Sequence, residues 1–337
     1  MFHPRLVTAA AAVVAFGAAG FGPVSAQDFY AGKTVKIAVG FSPGGGYDAY
    51  GRLVARHIGQ HVPGKPTVIV QNMPGASSMK AVKFLDAGAP ADGTVMTIFN
   101  AGLISQSLTS PDKVTVDFTK LRFVGSVTSD VRLCYFWGAT GIKTWEDLLK
   151  RKEVVMGATA VGSSSYINGR VIKNMFGANI RHVLGYPGST EQRLAIERGE
   201  LDGDCGAWGS TPAHWIRDGK INMVVRFSRA AAPDMPKMPY ILDLARNAEE
   251  RQILNLILAP SEIGRPFVMS AKVPEARFAV LRGAFRAMIK DEAFLAEAAK
   301  GRREVIGPMT GEEVEAAIRD IYAAPKAVIA RASEMVK

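Results

Sequence analysis

Short apolar segments alternate with amphipathic segments along most of the chain. The apolar segments are rich in Val, Ile and Phe and predict β-strands, whereas apolar residues spaced three and four positions apart predict helices. The predicted strands are 34–41, 67–71, 95–99, 123–127, 131–136, 154–158, 181–184 and 223–227, and the predicted helices between them are 47–61, 77–88, 144–152, 166–176 and 189–198. This alternation predicts parallel sheets covered by helices on both faces.

The C-terminal part of the chain has a different pattern. From Pro274 onward it is mostly helical, with predicted helices 275–290, 291–300, 310–324 and 326–334. Pro325 should end the third of these helices, because proline cannot continue the hydrogen-bond ladder. Farther back, Thr144 and Asp147 form a Thr-x-x-Asp capping box that marks a helix start.

The first 26 residues form a segment of their own. Arg5 precedes an almost wholly apolar stretch, 6–21, and Val24-Ser-Ala26 is a small-residue cleavage site. This pattern predicts a signal peptide at 1–26 and an exported chain that begins at Gln27; the alternative is an uncleaved anchor helix. A chain of 337 residues is long enough for two domains, each with its own core.

Composition narrows the choice of partners. Lys and Arg total 41 against 31 Asp and Glu, a formal net charge of +10, which suits an anionic ligand or surface. The basic residues are scattered and do not cluster with aromatic residues, which argues against nucleic-acid binding. Cys134 and Cys205 are the two cysteines, and the sequence leaves open whether they form a disulfide or remain two buried thiols.

Three glycine- or serine-rich turns follow predicted strands, at 41–48, 74–78 and 162–165. In the first turn, Pro43 restricts the backbone, and the glycines at 44–46 let it approach a ligand. The following helix start presents unpaired amides, which can bind a carboxylate without an arginine. The alternative for each turn is a tight connection that binds nothing, with its serine as a helix cap. None has the spacing of a P-loop or a dinucleotide fingerprint.

The motifs in combination carry a resemblance. They are Phe-x-Pro-Gly-Gly-x-x-Asp at 41–48, Asn-x-Pro-Gly-Ala at 72–76, Asp-Gly at 92–93, Gly-Ser-Ser at 162–164, Tyr-Pro-Gly-Ser-Thr at 186–190 and Gly-Glu-Leu-Asp-Gly-Asp at 199–204. Over essentially the whole mature chain they resemble the substrate-binding proteins of tripartite tricarboxylate transporters, the Bug-type receptors. Two departures concern the ligand: Tyr47 stands where many relatives have a small polar residue, and Ile-Gly-Arg-Pro-Phe at 263–267 replaces the usual Trp-x-Gly and Ala-Pro.

The resemblance implies an α/β, type II-like periplasmic-binding-protein fold with two lobes, each a mainly parallel sheet flanked by helices. Lobe 1 would comprise 27–128 and 264–337, and lobe 2 would comprise 129–263, joined by crossover strands near 126–131 and 264–270. It implies a monomeric periplasmic receptor that captures a di- or tricarboxylate or an aromatic acid and delivers it to the permease subunits of the transporter. No cofactor, metal or nucleic-acid partner is expected, since the two cysteines have no nearby histidine cluster and the basic residues are scattered.

The resemblance and the turns together give the candidate ligand-binding residues. They are Phe41, Pro43, Gly44, Gly45, Gly46, Tyr47, Asp48, Pro74, Gly75, Ala76, Ser77, Thr159, Gly162, Ser163, Ser164, Tyr186, Gly188, Ser189, Asp204 and Trp208. Asp48 could stabilise its own helix start or meet a cationic ligand group. Tyr47 and Trp208 could contact the distal part of the ligand or pack the lobes. Asp202 and Asp204 frame a short strand, and at least one of them should be structural.

Two other functions compete with the receptor. A sensory carboxylate-binding module would use the same lobe closure, so the sequence does not separate it from transport. A secreted serine hydrolase is disfavoured, because the chain lacks a Gly-x-Ser-x-Gly elbow and a histidine with an accompanying carboxylate pattern. His57 and His61 lie four residues apart, but no His-Glu-x-x-His motif accompanies them, so they are predicted to be solvated.

Overall fold

The computed structural model describes residues 29–337, and the predicted signal peptide lies outside the described residues. The strands are β1 (Thr34–Val39), β2 (Thr67–Asn72), β3 (Val95–Ile98), β4 (Arg122–Ser126), β5 (Leu133–Trp137), β6 (Val154–Ala158), β7 (Ile180–Leu184), β8 (Gly203–Asp204), β9 (Ile221–Arg226), β10 (Pro266–Met269) and β11 (Met309–Thr310). The helices are α1 (Gly46–His57), α2 (Met79–Ala87), α3 (Gly102–Thr109), α4 (Trp145–Lys150), α5 (Ser164–Phe176), α6 (Ser189–Glu197), α7 (Ala213–Arg217), α8 (Ala248–Ile263), α9 (Glu275–Met288), α10 (Glu292–Lys300), α11 (Gly311–Tyr322) and α12 (Lys326–Val336).

The strands form two sheets, and each sheet with its helices is called a lobe below. The first lobe has the strand order β11-β4-β10-β3-β1-β2, in which β10 and β11 run antiparallel to their neighbours. The second lobe has the order β7-β6-β8-β5-β9, in which β5 runs antiparallel to its neighbours. Both sheets are therefore mixed: parallel pairing, as predicted, joins β1, β2 and β3 in the first sheet and β6, β7 and β8 in the second. The remaining neighbours pair antiparallel, so the expectation of mainly parallel sheets is too simple. The exact lobe boundaries remain a prediction.

Local sequence signals account for several element ends. The predicted capping box at the start of α4 forms, with Thr144 Oγ1 accepting from the Asp147 amide and Asp147 accepting from the Thr144 amide. Thr310 and Glu313 make the same arrangement at the start of α11. Pro325 separates α11 from α12, as predicted. Within residues 29–337, no helix combines the length and apolar character needed to cross a bilayer.

A disulfide joins Cys134 of β5 to Cys205, which directly follows β8. Of the two alternatives that the sequence left open, the structure has the bridge. The strands explain it: Tyr135 pairs with Asp204 across the antiparallel β5–β8 contact, so the two cysteines lie opposite each other at the next position. Because β8 is two residues long, the bridge adds a covalent restraint to a strand with few ladder hydrogen bonds.

Candidate functional site

A cavity lies between the two lobes, at the carboxyl ends of strands from both sheets. Ligands of open α/β sheets bind at this edge, because the strand ends and helix starts leave polar groups there. Residues after β1 and β3 line it from the first lobe, and residues after β6 and β8 line it from the second. The lining residues are Phe41, Gly45, Gly46, Tyr47, Ser77, Asn100, Arg132, Tyr135, Thr159, Ser163, Ser164, Ser165, Ser189, Gln192, Arg193, Asp204, Gly206, Ala207, Ser210 and Arg265.

Half of the candidate residues from the sequence lie in this lining. They are Phe41, Gly45, Gly46, Tyr47, Ser77, Thr159, Ser163, Ser164, Ser189 and Asp204. All three glycine- or serine-rich turns therefore contribute to one cavity, although they are far apart in the chain. The second turn reaches it through Ser77 alone.

The other candidates lie beside the cavity or away from it. Pro74, Gly75 and Ala76 are exposed on the outside of their turn. The remaining candidates outside the lining are Pro43, Gly44, Asp48, Gly162, Tyr186, Gly188 and Trp208.

Trp208 is 1% exposed and packs in the hydrophobic cluster of the second lobe, to which Tyr186 is adjacent. The Trp208 indole N–H donates to Asp234 at 3.0 Å. These contacts correspond to the packing alternative for Trp208.

Asp48 is engaged by its own neighbourhood. Its carboxylate accepts hydrogen bonds from the Gly44 amide at 2.9 Å, Arg52 Nε at 2.9 Å and Asn72 Nδ2 at 2.8 Å. Burial alone would raise its pKa, but these hydrogen bonds outweigh burial and hold the pKa below its usual value. The arrangement corresponds to the helix-start alternative for Asp48. It leaves the amides of the first turn of α1, at Gly45 and Gly46, beside the cavity.

The sequence reasoning missed a buried ion cluster at the base of the cavity. Asp130 accepts from Arg132 Nε at 2.7 Å and from Arg265 Nη2 at 3.1 Å, and the three residues are 3%, 9% and 2% exposed. Arg265 also lies over the rings of Tyr47 and Tyr50, with its Cζ 4.6 Å and 4.7 Å from the two ring centroids. One buried carboxylate thus faces two buried guanidinium groups, which leaves an excess positive charge.

One signal could have found Arg265. It occupies the 263–267 segment, where the chain departs from the pattern of the receptors it resembles. Arg132, Asn100 and Gln192 carried no motif, and only the folded chain brings them to the cavity.

Four polar side-chain atoms in the lining are buried and have no hydrogen-bond partner among residues 29–337. They are Tyr47 Oη, Gln192 Nε2, Asp204 Oδ1 and Arg265 Nη1. Buried polar groups are normally paired, because an unpaired one loses its hydration without compensation. All four atoms belong to residues that line one cavity, which makes this cavity the candidate ligand site.

The backbone of the second turn is in an unusual conformation where it meets the cavity. Ala76, Ser77 and Ser78 have φ angles of 45°, 53° and 77°, in the left-handed region that side chains disfavour. The Ser77 hydroxyl accepts from Asn100 Nδ2 at 3.2 Å, and the Ser78 hydroxyl accepts from the Asn100 amide at 2.9 Å. These contacts hold the strained turn in place, and strain of this kind concentrates at functional sites.

Direct hydrogen bonds join the two lobes around the cavity. Ser42 Oγ donates to Glu191 at 2.9 Å, and Ser164 Oγ donates to Asn100 Oδ1 at 3.0 Å. Arg193 Nη2 reaches the Gly44 carbonyl at 3.4 Å. The described conformation is therefore one in which the lobes are closed over the cavity.

A larger groove, of about 700 Å³, lies between α8, α11 and α12. None of the buried unpartnered side-chain atoms belongs to its lining. Nor do residues 29–337 contain a group of three or more His, Cys, Asp or Glu side chains that could hold a metal ion. Of these two hollows, the cavity between the lobes is therefore the one whose lining contains buried unpartnered polar atoms.

Comparisons with known proteins agree with this architecture. Protein BugT of Bordetella pertussis is 27% identical to this chain over 236 residues, which cover 66% of this chain and 68% of BugT. No protein-family model matches the chain.

Among solved structures, the periplasmic binding protein BugD has a TM-score of 0.70 at 17% identity, covering 90% of this chain and 96% of BugD. MatC from Rhodopseudomonas palustris, solved with bound malate, has a TM-score of 0.70 at 17% identity, covering 90% and 99% of the two chains. Two results predicted from the sequence are therefore confirmed: the chain has the two-lobed fold of periplasmic binding proteins, and it resembles the Bug-type substrate-binding receptors.

Proposed function

We propose that this protein is a periplasmic receptor that binds a small organic carboxylate between its lobes and delivers it to the permease of a tripartite tricarboxylate transporter. The observation that carries the proposal is the buried Arg265 guanidinium, whose Nη1 has no partner among the described residues. The relatives support the receptor class, because BugD is a periplasmic binding protein and MatC was solved with malate.

The electrostatics of the cavity favour an anion. Three arginines line it or reach it, Arg132, Arg193 and Arg265, against the two carboxylates of Asp130 and Asp204. With all five groups ionised the sum is three minus two, or +1. A low-dielectric cavity strengthens the attraction of that charge for a ligand carboxylate.

Arg265 is oriented before a ligand arrives. Asp130 holds its Nη2 while the rings of Tyr47 and Tyr50 hold its plane, so Nη1 is presented in one direction. Its guanidinium lies beside Gly46, where a side-chain carbon added to the glycine would be 3.2 Å from Nη1. The first-turn amides of α1 and Arg265 can thus act on the same carboxylate, which adds charge-assisted hydrogen bonds to the backbone cradle.

The test is ligand binding by the exported chain after removal of any co-purified ligand. Mono-, di- and tricarboxylates and aromatic acids are screened by thermal shift, and hits are measured by titration calorimetry. A ligand at a hundred times its dissociation constant should stabilise the fold by about 2.7 kcal/mol. Arg265→Gln should weaken binding about tenfold or more, because it removes a charged hydrogen bond.

Arg286→Gln is the matched control. It makes the same change of charge at a half-exposed residue that pairs with Glu312, away from the cavity. It should bind like the unmodified protein. If Arg265→Gln does not fold, ligand binding is measured instead with Arg265→Lys, which keeps the charge. The proposal fails if no acid stabilises the protein, or if a folded Arg265 variant binds as tightly as the control. Ester turnover in the same samples would instead favour the hydrolase.

Transport and sensing require a cellular test. Deletion of the gene should abolish uptake of the identified acid if the protein feeds a permease. Normal uptake with a lost transcriptional response would favour the sensory module.

A further inference from the structure

Tyr47 lies between two hollows in the space between the lobes. On one side is the cavity described above, with a volume of about 60 Å³. On the other side is a smaller hollow of about 30 Å³, called the rear hollow below, whose lining includes Asp130. The two share four lining residues, Tyr47, Asn100, Arg132 and Ser164. These four residues therefore form a wall that divides the space.

The ring of Tyr47 extends across this wall and is held in place. It stacks on Phe41, with the ring centroids 4.7 Å apart, and Arg265 Cζ lies 4.6 Å from its centroid. Phe41 and Arg265 both line the cavity. Burial and the nearby Asp130 carboxylate raise the pKa of the Tyr47 hydroxyl, so this end of the side chain is next to a residue that lines the rear hollow.

The other three residues of the wall are engaged in hydrogen bonds. Arg132 pairs with Asp130, and Ser164 donates to Asn100. The Tyr47 hydroxyl, by contrast, has no partner among residues 29–337. Tyr47 thus contributes the volume of its ring, and a small residue in its place would join the two hollows without removing a side-chain hydrogen bond.

The rear hollow is suited to an apolar tail. Its apolar lining residues are Ala101, Ile167, Phe227, Ile257, Leu258 and Pro260. A ligand tail that entered it would leave water for an apolar surface, which is favourable. The ring of Tyr47 stands in the way of such a tail.

The cavity is also narrow on the side of the first turn of α1. There Gly46 meets Ser210, since a side-chain carbon added to Gly46 would lie 2.1 Å from Ser210 Oγ. A further hollow, of about 310 Å³, lies beyond this contact. The contact and the ring of Tyr47 together restrict the length of the cavity.

We infer that Tyr47 limits the length of the ligand, so that the protein binds short organic acids and rejects acids whose tail would need the rear hollow. The inference rests on the proposed function and specifies the class of ligand for the same cavity. At about 10–15 Å³ for each water molecule, the cavity has room for about four to six of them, a space that suits acids such as malonate or succinate. A longer acid would have to displace the ring of Tyr47 from Phe41 and Arg265, and the loss of those contacts lowers its affinity.

Two series of acids of increasing size test the inference by titration calorimetry. They are malonate, succinate, glutarate and adipate, and propionate, butyrate, hexanoate and phenylacetate. In each series that the unmodified protein binds, one of the first two members should bind at least tenfold more tightly than the last member. The ratio of these two affinities is the size preference.

Tyr47→Ala should shift the size preference toward hexanoate and phenylacetate about tenfold or more, because an apolar tail can then enter the rear hollow. Tyr47→Phe is the matched control: it keeps the ring, removes the hydroxyl and should keep the preference of the unmodified protein. A ratio taken within one protein cancels any loss common to all acids, such as one caused by a less firmly held Arg265. If Tyr47→Ala does not fold, Tyr47→Leu is measured instead.

Three results overturn the inference and leave the proposed function intact. One is binding of the largest acids to the unmodified protein as tightly as the short ones. Another is a folded Tyr47→Ala variant with the same size preference as Tyr47→Phe. The third is binding confined to tricarboxylates or aromatic acids. Failure of every acid to bind overturns both the inference and the proposed function.

Discussion

The disulfide between Cys134 and Cys205 should provide a large part of the stability of the second lobe. It closes a loop with a sequence separation of 71 residues. In the chain-entropy account, a cross-link stabilises by restricting the unfolded chain, and a loop of this length gives about 4 kcal/mol at 25 °C. Small domains are typically stable by about 5–15 kcal/mol, so reduction should shift the unfolding transition strongly.

Urea unfolding of the oxidised and the reduced protein measures this contribution, with thiol titration to verify the redox state. Reduction should lower the free energy of unfolding by about 4 kcal/mol. A double variant, Cys134→Ala with Cys205→Ala, should unfold at the same urea concentration with and without reductant, since it has no bridge to lose. Alanine suits this control because both cysteines are fully buried among apolar residues. A loss below about 1 kcal/mol in fully reduced protein would refute the entropic reasoning.

Two further predictions concern the cavity and the pH dependence of stability. Gly46→Ala should weaken ligand binding, because the added carbon would lie 2.1 Å from Ser210 Oγ across the cavity. The control is Gly283→Ala, in helix α9, where an added carbon would meet no atom within 4 Å; this variant should bind normally and gain about 0.5–1 kcal/mol of stability. Equal calorimetric affinities of the two variants would contradict the prediction. Burial lowers the pKa of His182 to about 4 in the folded protein. The imidazole is therefore protonated near pH 6.5 in the unfolded chain but only near pH 4 in the folded chain. The free energy of unfolding should therefore fall by on the order of 3 kcal/mol as the pH drops from 6.5 to 4. Measured by urea unfolding, this free energy should depend less on pH in His182→Gln than in the unmodified protein. Identical pH dependence in the two proteins would show that His182 is not buried in its neutral form.

Local patterns predicted the layered architecture well. Strand β6 has the predicted bounds, 154–158, and β1, β2 and β3 differ from prediction by one or two residues at one end. These strands are short apolar segments between turns, so their signal is contained within the segment itself. The capping box of α4 is equally local, since both of its partners lie within four residues.

Three helices escaped prediction: α7, which is five residues long, and α3 and α8, which were missed for different physical reasons. Helix α3 is largely buried, and its start at Gly102 has no side-chain cap, so it offers neither a polar face nor a start signal. Helix α8 contains Pro260, which normally breaks a helix. Here Pro260 removes one hydrogen bond, the one that an N–H at this position would donate to the Leu256 carbonyl. Packing of α8 against α3 and α12 can then sustain it.

The charged cluster of the cavity could not be read from the sequence, because Arg265 is separated by more than a hundred residues from Asp130 and Arg132. Asp130 and Arg132 follow β4, whereas Arg265 precedes β10, and only the crossover brings them together. A single arginine in a sequence predicts a solvated surface residue. Its burial becomes evident only when the carboxylate that faces it is known.

The same crossover connects ligand binding to closure of the lobes. The Asp130 amide donates to the Ser261 carbonyl at 2.7 Å, and the Arg265 amide donates to the Thr128 carbonyl at 3.2 Å, so the two connecting segments are bonded to each other at the base of the cavity. Arg265 thereby extends from the connection between the lobes to the place where the ligand is proposed to bind. A ligand shifts a conformational equilibrium only through contacts that differ between the two states. A carboxylate that neutralises the excess charge of Arg132 and Arg265 in the closed cavity would provide such a contact, because the same charge is better hydrated when the lobes are apart.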